Sequence, residues 1–152
     1  MQILPLKEMK DILGKEIGVS DWFPIDQERI NQFAHCTRDN HWVHLDVEAA
    51  KNGFFGTTIA QGFLIVSLLT HFHEKFMVIP EGAVMAIYYG MNKIRHLSPV
   101  PVDAMVRDRI ILAHVEEQGD GRILTTATHT VEIKGSGKPA CYAESLTLFL
   151  TG

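Results

Sequence analysis

The sequence predicts an α+β fold in which one long helix lies against an antiparallel sheet. Two observations lead to it. The segment from Ile59 to about Val78 is apolar on nearly every face in its first three turns, and a helix without a polar face is surrounded by protein. The segments after Pro80 alternate between apolar and polar side chains, as strands do in a sheet that has one face in water.

Shorter elements precede the long helix. The expected ones are, in chain order, a helix over 6–13, a strand over 16–23, a helix that ends where the Asp39 segment begins, and a short helix over 47–51. Gly14 closes the first helix. Asp26 and Asp46 are suited to cap the other two, because a carboxylate accepts hydrogen bonds from the N–H groups of the first turn.

Four long strands follow the helix. They are expected over 84–97, 104–116, 122–133 and 141–150, with the strand over 16–23 available to join them. A curved antiparallel sheet that wraps one buried helix in this way is the hot-dog fold. Its two exposed edges make a homodimer formed by sheet extension a reasonable expectation.

Composition narrows the range of functions. The chain has 152 residues, 46% of them hydrophobic, and a net charge of −4, which fits one domain spanning residues 1–152. Without a basic run it lacks the charge of a nucleic-acid-binding protein. Its N-terminus has no secretory signal pattern, and its longest apolar run, residues 59–69, is shorter than the roughly 20 residues of a membrane span. We therefore expect a cytoplasmic protein with no membrane or nucleic-acid partner.

No metal site is expected. The only cysteines, Cys36 and Cys141, allow neither a disulfide framework nor a four-cysteine site, and both are interpreted as buried free thiols. His71 and His73 point about 200° apart around a helix and so cannot readily share an ion. The His41-x-x-His44-x-Asp46 segment only superficially resembles a ligand set, since a structural zinc site needs four ligands.

Asp39 and His44 are the main candidates for chemistry. They lie five residues apart in an aromatic-flanked loop between two helical patterns. A carboxylate and an imidazole can share one water molecule, one group taking a proton while the other orients the water. Taken alone, each also has an ordinary structural explanation, with Asp39 bonding nearby backbone and His44 a satisfied loop or core histidine.

Three segments resemble the MaoC-like dehydratases, or R-specific enoyl-CoA hydratases, and within them the branch that contains nodulation protein N. The segments are Asp39-x-His41-Trp42-Val43-His44-x-Asp46, Phe55-Gly56-x-Thr58-Ile59-Ala60-x-Gly62-Phe63-Leu64 and Tyr89-Gly90-x-Asn92-Lys93-x-Arg95. His41 and Trp42 stand where the commoner form of the motif has Asn and Pro. This change bears on the loop shape and the substrate range, because proline fixes φ and Trp adds a large ring.

The resemblance implies that Asp39 and His44 add water to a trans-2-enoyl-CoA, giving an R-3-hydroxyacyl-CoA, with dehydration as the reverse reaction. Coenzyme A is then part of the substrate, and no separate cofactor is expected. The resemblance also implies that the Gly62 N–H binds the thioester oxygen and that Thr70 and Asn92 contact the substrate. The alternatives are close packing at Gly62, a hydroxyl at Thr70 bonded to its own helix, and a structural amide at Asn92.

Two rival functions fit the same fold. An acyl-CoA thioesterase of this fold usually carries a carboxylate on or near its central helix, and residues 59–70 contain none. A non-catalytic acyl-CoA-binding protein would keep the pocket without turnover, and the altered motif is the reason to consider it.

Overall fold

Eight strands and six helices build the structure, a computed structural model that describes residues 1–152. In chain order they are β1 (Gln2–Leu4), α1 (Leu6–Asp11), β2 (Glu16–Val19), β3 (Phe23–Ile25), α2 (Gln27–Thr37), α3 (Trp42–Leu45), α4 (Val47–Lys51), α5 (Gly62–Ser67), α6 (Leu69–Glu74), β4 (Val78–Pro80), β5 (Ala83–His96), β6 (Ala104–Gly119), β7 (Arg122–Ile133) and β8 (Cys141–Thr151). The predicted α+β class is confirmed.

The main sheet has the strand order β2-β6-β7-β8-β5 and is antiparallel throughout. Its four long strands begin and end within three residues of their predicted positions. The single strand expected over 16–23 is instead two short strands, β2 and β3, which both pair with β6. A second, parallel pair joins β1 to β4 and was not expected from the sequence.

The long helix expected over 59–78 is shorter and divided. It begins at Gly62, because Ile59 bridges to Pro101 and the Ala60 N–H bonds to the Val100 carbonyl, which keeps the preceding backbone extended. The helix is interrupted at Leu68, between α5 and α6, and ends at Glu74.

The expectation that protein surrounds this helix on every side is wrong for the single chain. Leu64, Ile65, Leu69 and Phe72 pack into the core, but the side chain of Phe63 is 68% exposed. The exposed side of the helix therefore has no covering within one chain.

Alternate residues of β6, β7 and β8 are buried on the face of the sheet that meets the core. β5 is different, since large apolar side chains on both of its faces are exposed, and it pairs only with β8.

Of the two cysteines, Cys141 is buried as predicted and burial raises the pKa of its thiol to about 11, whereas Cys36 is exposed, contrary to the prediction. No helix combines the length and apolarity needed to cross a membrane.

Both N-caps assigned from the sequence are present, whereas α1 ends at Asp11, before the Gly14 expected to close it. The Asp26 carboxylate accepts a hydrogen bond from the Arg29 N–H at 2.8 Å, and the Asp46 carboxylate accepts one from the Ala49 N–H at 2.9 Å. These bonds set where α2 and α4 begin, and the segment between the two helices holds the candidate catalytic pair.

Candidate active site

The segment between α2 and α4 contains a short helix that the sequence pattern did not reveal. Arg38 adopts the left-handed conformation, with φ of +65°, and ends α2 by donating its N–H to the Ala34 carbonyl. His41 then begins α3, since its Nδ1 accepts a hydrogen bond from the Val43 N–H. His44 therefore lies in one turn of helix, which is too short for apolar periodicity to predict.

Asp39 and His44 lie next to each other in the structure. The Oδ2 of Asp39 is 3.9 Å from the Nε2 of His44, which is too long for a direct hydrogen bond but leaves both atoms within reach of one water molecule about 2.8 Å from each. Their side chains are 45% and 13% exposed, so the pair is accessible from one side. Both groups can accept a hydrogen bond from that water.

A backbone carbonyl fixes the tautomer of His44. Its Nδ1 lies 2.7 Å from the Ile59 carbonyl oxygen, and because a carbonyl can only accept, Nδ1 carries the proton. In the neutral ring the lone pair is then on Nε2, the nitrogen that faces Asp39. This is the arrangement a general base requires.

Gln27 holds the turn that carries His44. Its amide donates to the His44 carbonyl at 2.8 Å, and its side-chain oxygen accepts from the hydroxyl of the buried Thr58 at 2.6 Å. The Ile59 N–H also bonds to the Val43 carbonyl. Gln27 was not predicted as a site residue, because its role depends on contacts with two distant segments.

His44 and Gly62 line one cavity of about 310 Å³. Its walls are largely apolar and are formed by Ile59, Ala60, Ile65, His96, Leu97, Ser98, Pro99, Val100 and Ala140, together with His44 and Gly62. Asp39 is not one of the lining residues and lies next to the cavity through its contact with His44. An apolar cavity with a few polar groups at one end is typical of a small-molecule site.

Gly62 is the first residue of α5. Its N–H has no acceptor within the chain, as expected for the first turn of a helix. A Cβ at this position would lie 2.8 Å from the Cε1 and Nε2 atoms of His96. The structure thus shows close packing at Gly62 and, at the same position, an available backbone donor.

Thr70 and Asn92 lie outside this cavity. The Thr70 hydroxyl donates to the Ser67 carbonyl at 3.0 Å, and the residue borders a separate cavity of about 190 Å³ beside His73. Asn92 is exposed on β5, opposite Glu144 of β8. The three residues Asp39, His44 and Gly62 come together, and substrate contact by Thr70 and Asn92 stays a prediction.

His96 is a cavity residue that the sequence did not indicate. It ends β5, and its ring lies against Gly62 at the start of α5. A single histidine in a strand pattern of alternating polar and apolar residues does not by itself indicate a functional site. Only the packing of the end of β5 against α5 brings it to the site.

Comparison with known proteins supports the resemblance. Residues 8–134 match the family described as the MaoC like domain. The 3-hydroxyacyl-thioester dehydratase Z of Mycobacterium tuberculosis is 44% identical over 137 residues, covering 90% of each chain. Nodulation protein N of Rhizobium leguminosarum bv. viciae is 36% identical over 149 residues, covering 97% of this chain and 92% of that protein.

Solved structures confirm the fold. The R-hydratase PhaJ1 from Pseudomonas aeruginosa aligns with a TM-score of 0.72 at 21% identity, over 92% of this chain and 83% of that one. This likeness confirms the predicted hot-dog architecture. The family model and the sequence relatives confirm the family to which the motifs pointed.

Proposed function

The chain belongs to the MaoC-like family, and from that premise we propose that it catalyses the reversible hydration of trans-2-enoyl-CoA to R-3-hydroxyacyl-CoA. The observation that carries the proposal is the 3.9 Å approach of Asp39 Oδ2 to His44 Nε2 beside a cavity that also reaches Gly62. The relatives named as a thioester dehydratase and an R-hydratase support the same reaction class.

The first step is attack by water on carbon 3 of the enoyl group. Asp39 orients the water by accepting a hydrogen bond from one O–H, which the product keeps, and Nε2 of His44 takes the other proton as the new C–O bond forms. The electron pair of the double bond moves toward the thioester and leaves negative charge on its oxygen. The free N–H of Gly62 is the donor for that oxygen.

The second step returns the proton. His44 is now an imidazolium whose Nδ1–H is still bonded to the Ile59 carbonyl, and the nearby Asp39 carboxylate stabilises its charge. It delivers the Nε2 proton to carbon 2 as the enolate collapses. Water has then been added across the double bond, and the enzyme has regained its starting protonation state.

The acyl group would occupy the apolar cavity under α5. Ile65, Val100 and Ala140 line that cavity and are themselves buried in the core, so they form a hydrophobic wall for a hydrocarbon chain.

Incubation of the purified protein with crotonyl-CoA and longer enoyl-CoAs tests the proposal. Loss of the conjugated thioester absorbance measures hydration, and chiral analysis of the product tests for the R configuration. Asp39→Asn and His44→Ala should each lower kcat by about 100-fold or more, since general acid–base groups contribute roughly 10²–10⁴-fold. The exposed residues Asp11 and His114 provide matched controls, and Asp11→Asn and His114→Ala should leave kcat unchanged.

Three outcomes would contradict hydration. They are no turnover at any chain length, undiminished turnover in both site variants, and release of free coenzyme A in place of hydroxyacyl-CoA. The last would indicate a thioesterase, although the only carboxylate of α5 and α6 is Glu74 at the far end. Tight acyl-CoA binding by calorimetry without turnover would indicate a binding protein.

A further inference from the structure

His96 brings a second polar group to the start of α5. A Cβ built on Gly62 would lie 2.8 Å from Cε1, 2.8 Å from Nε2 and 2.9 Å from Nδ1 of this ring. The three distances are nearly equal, so the flat face of the imidazole lies against the glycine, and both ring nitrogens lie at the rim of this contact, with their hydrogen-bonding directions in the plane of the ring. The Phe63 ring also packs against the His96 ring in a T-shaped arrangement, with the two ring centroids 6.2 Å apart.

The ring nitrogens of His96 are available. Neither makes a hydrogen bond to another group of the chain, unlike those of His44, His41 and His129, each of which has at least one partner. The side chain lines the same cavity as His44. It is therefore an unpaired donor placed at the end of the cavity where Gly62 also has a free N–H.

The reaction needs donors at this end. Attack on carbon 3 places negative charge on the thioester oxygen, and one backbone N–H satisfies only one of the lone pairs of that oxygen. A neutral imidazole always carries one N–H and an imidazolium carries two, so His96 can donate in either protonation state.

We propose that His96 donates a second hydrogen bond to the thioester oxygen, beside the Gly62 N–H, and so stabilises the enolate. This inference rests on the proposed hydration activity. It makes His96 a catalytic residue that contacts the substrate, and it makes the glycine at position 62 necessary for bringing the imidazole close to the reacting carbonyl.

The decisive comparison is between His96→Phe and His96→Gln. Phe keeps a flat ring against Gly62 but has no donor, whereas Gln replaces the ring with a side chain that keeps an N–H. We expect His96→Phe to lower kcat for crotonyl-CoA by roughly 10- to 100-fold with KM changed less than threefold, because the bond matters most once charge develops. His96→Gln should recover part of that loss. His114→Ala, an exposed histidine on β6, should match the wild type.

Circular dichroism and thermal melting establish that each variant is folded. If His96→Phe does not fold, His96→Leu paired with His96→Gln makes the same comparison between a side chain without a donor and one with a donor. A kcat within twofold of wild type for the variant without a donor, or an equal loss in both variants, would overturn the role of His96 and leave the hydration activity standing. An inactive wild type would overturn both.

Discussion

At the scale of single residues, position 62 combines a packing constraint with a proposed chemical role. The imidazole of His96 occupies the space where a side chain would begin, and the same glycine offers an unpaired N–H to the cavity. The family resemblance implied a role for Gly62 but not for His96, because the two residues are distant in sequence and only the packing of the end of β5 against α5 brings them together.

A double-mutant cycle separates the packing constraint from other effects. Gly62→Ala should be neutral or destabilise the wild type by about 1 kcal/mol, because its Cβ displaces the His96 ring. In a His96→Ala background the same change should stabilise the protein by up to about 1 kcal/mol, as Gly→Ala does in an unobstructed helix. Chemical denaturation of the four proteins measures the coupling. An identical effect of Gly62→Ala in both backgrounds would show that the two residues do not constrain each other.

At the scale of elements, the long strands were predicted well and the helices less well. β6, β7 and β8 have one face in the core and the other in water, so alternation in the sequence reports the structure directly. A continuous apolar run does not show where a helix within it begins or ends. The first residues of the apolar run that starts at Ile59 are extended and not helical. Only their pairing with residues 100 and 101 distinguishes them from the helix that follows.

β5 is the element that a single chain leaves uncovered. It is an edge strand, and Val84 and Tyr89 are 74% and 63% exposed. An exposed apolar edge strand pairs readily with another chain. We propose that a second copy of the chain covers it, which would also cover the exposed Phe63 on the adjacent helix.

Tyr89→Asp tests this interface, because a carboxylate buried between two copies without a partner is strongly unfavourable. We expect the wild type to sediment as a dimer at micromolar concentration and Tyr89→Asp to shift toward monomer. Gln118→Asp, which adds the same charge at the exposed end of β6, should remain dimeric. A monomeric wild type, or a dimer undisturbed by Tyr89→Asp, would contradict the arrangement.

At the scale of the whole molecule, a hydrogen-bonded row of polar side chains lies in the core. Asp108, His129 and Ser145 lie on adjacent strands, with 2.6 Å from Asp108 Oδ2 to His129 Nδ1 and 2.8 Å from His129 Nε2 to Ser145 Oγ. The His73 ring packs against His129 with centroids 5.2 Å apart. All four side chains are buried, and the alternating pattern of the sequence did not distinguish these polar positions from apolar core positions.

His73 should make stability depend on pH. Burial, and to a smaller extent the charge of His129, lowers the pKa of His73 to about 4 from 6.5. Between those values the unfolded chain binds a proton at His73 and the folded protein does not, so the free energy of unfolding falls as the pH drops from 6.5 to 4. The loss is about 3 kcal/mol at most.

His73→Phe, which keeps a ring against His129, should remove this part of the pH dependence. The measurement is the difference in unfolding free energy between wild type and variant from pH 7 to pH 4. The difference is needed because burial raises the pKa of Asp108, which contributes in the opposite direction above pH 3.8. A difference that does not change with pH would show that His73 is not the group responsible.

The pairing of strands also sets an order in which the chain can become structured. β1 pairs with β4, and β2 and β3 pair with β6, so the first 25 residues have no strand partner until residues 78–111 have been made. During synthesis these early segments leave the ribosome before the strands that pair with them have been made. Closing such long loops costs entropy before any contact is gained, and refolding should accordingly be slower than for a helical protein of this length.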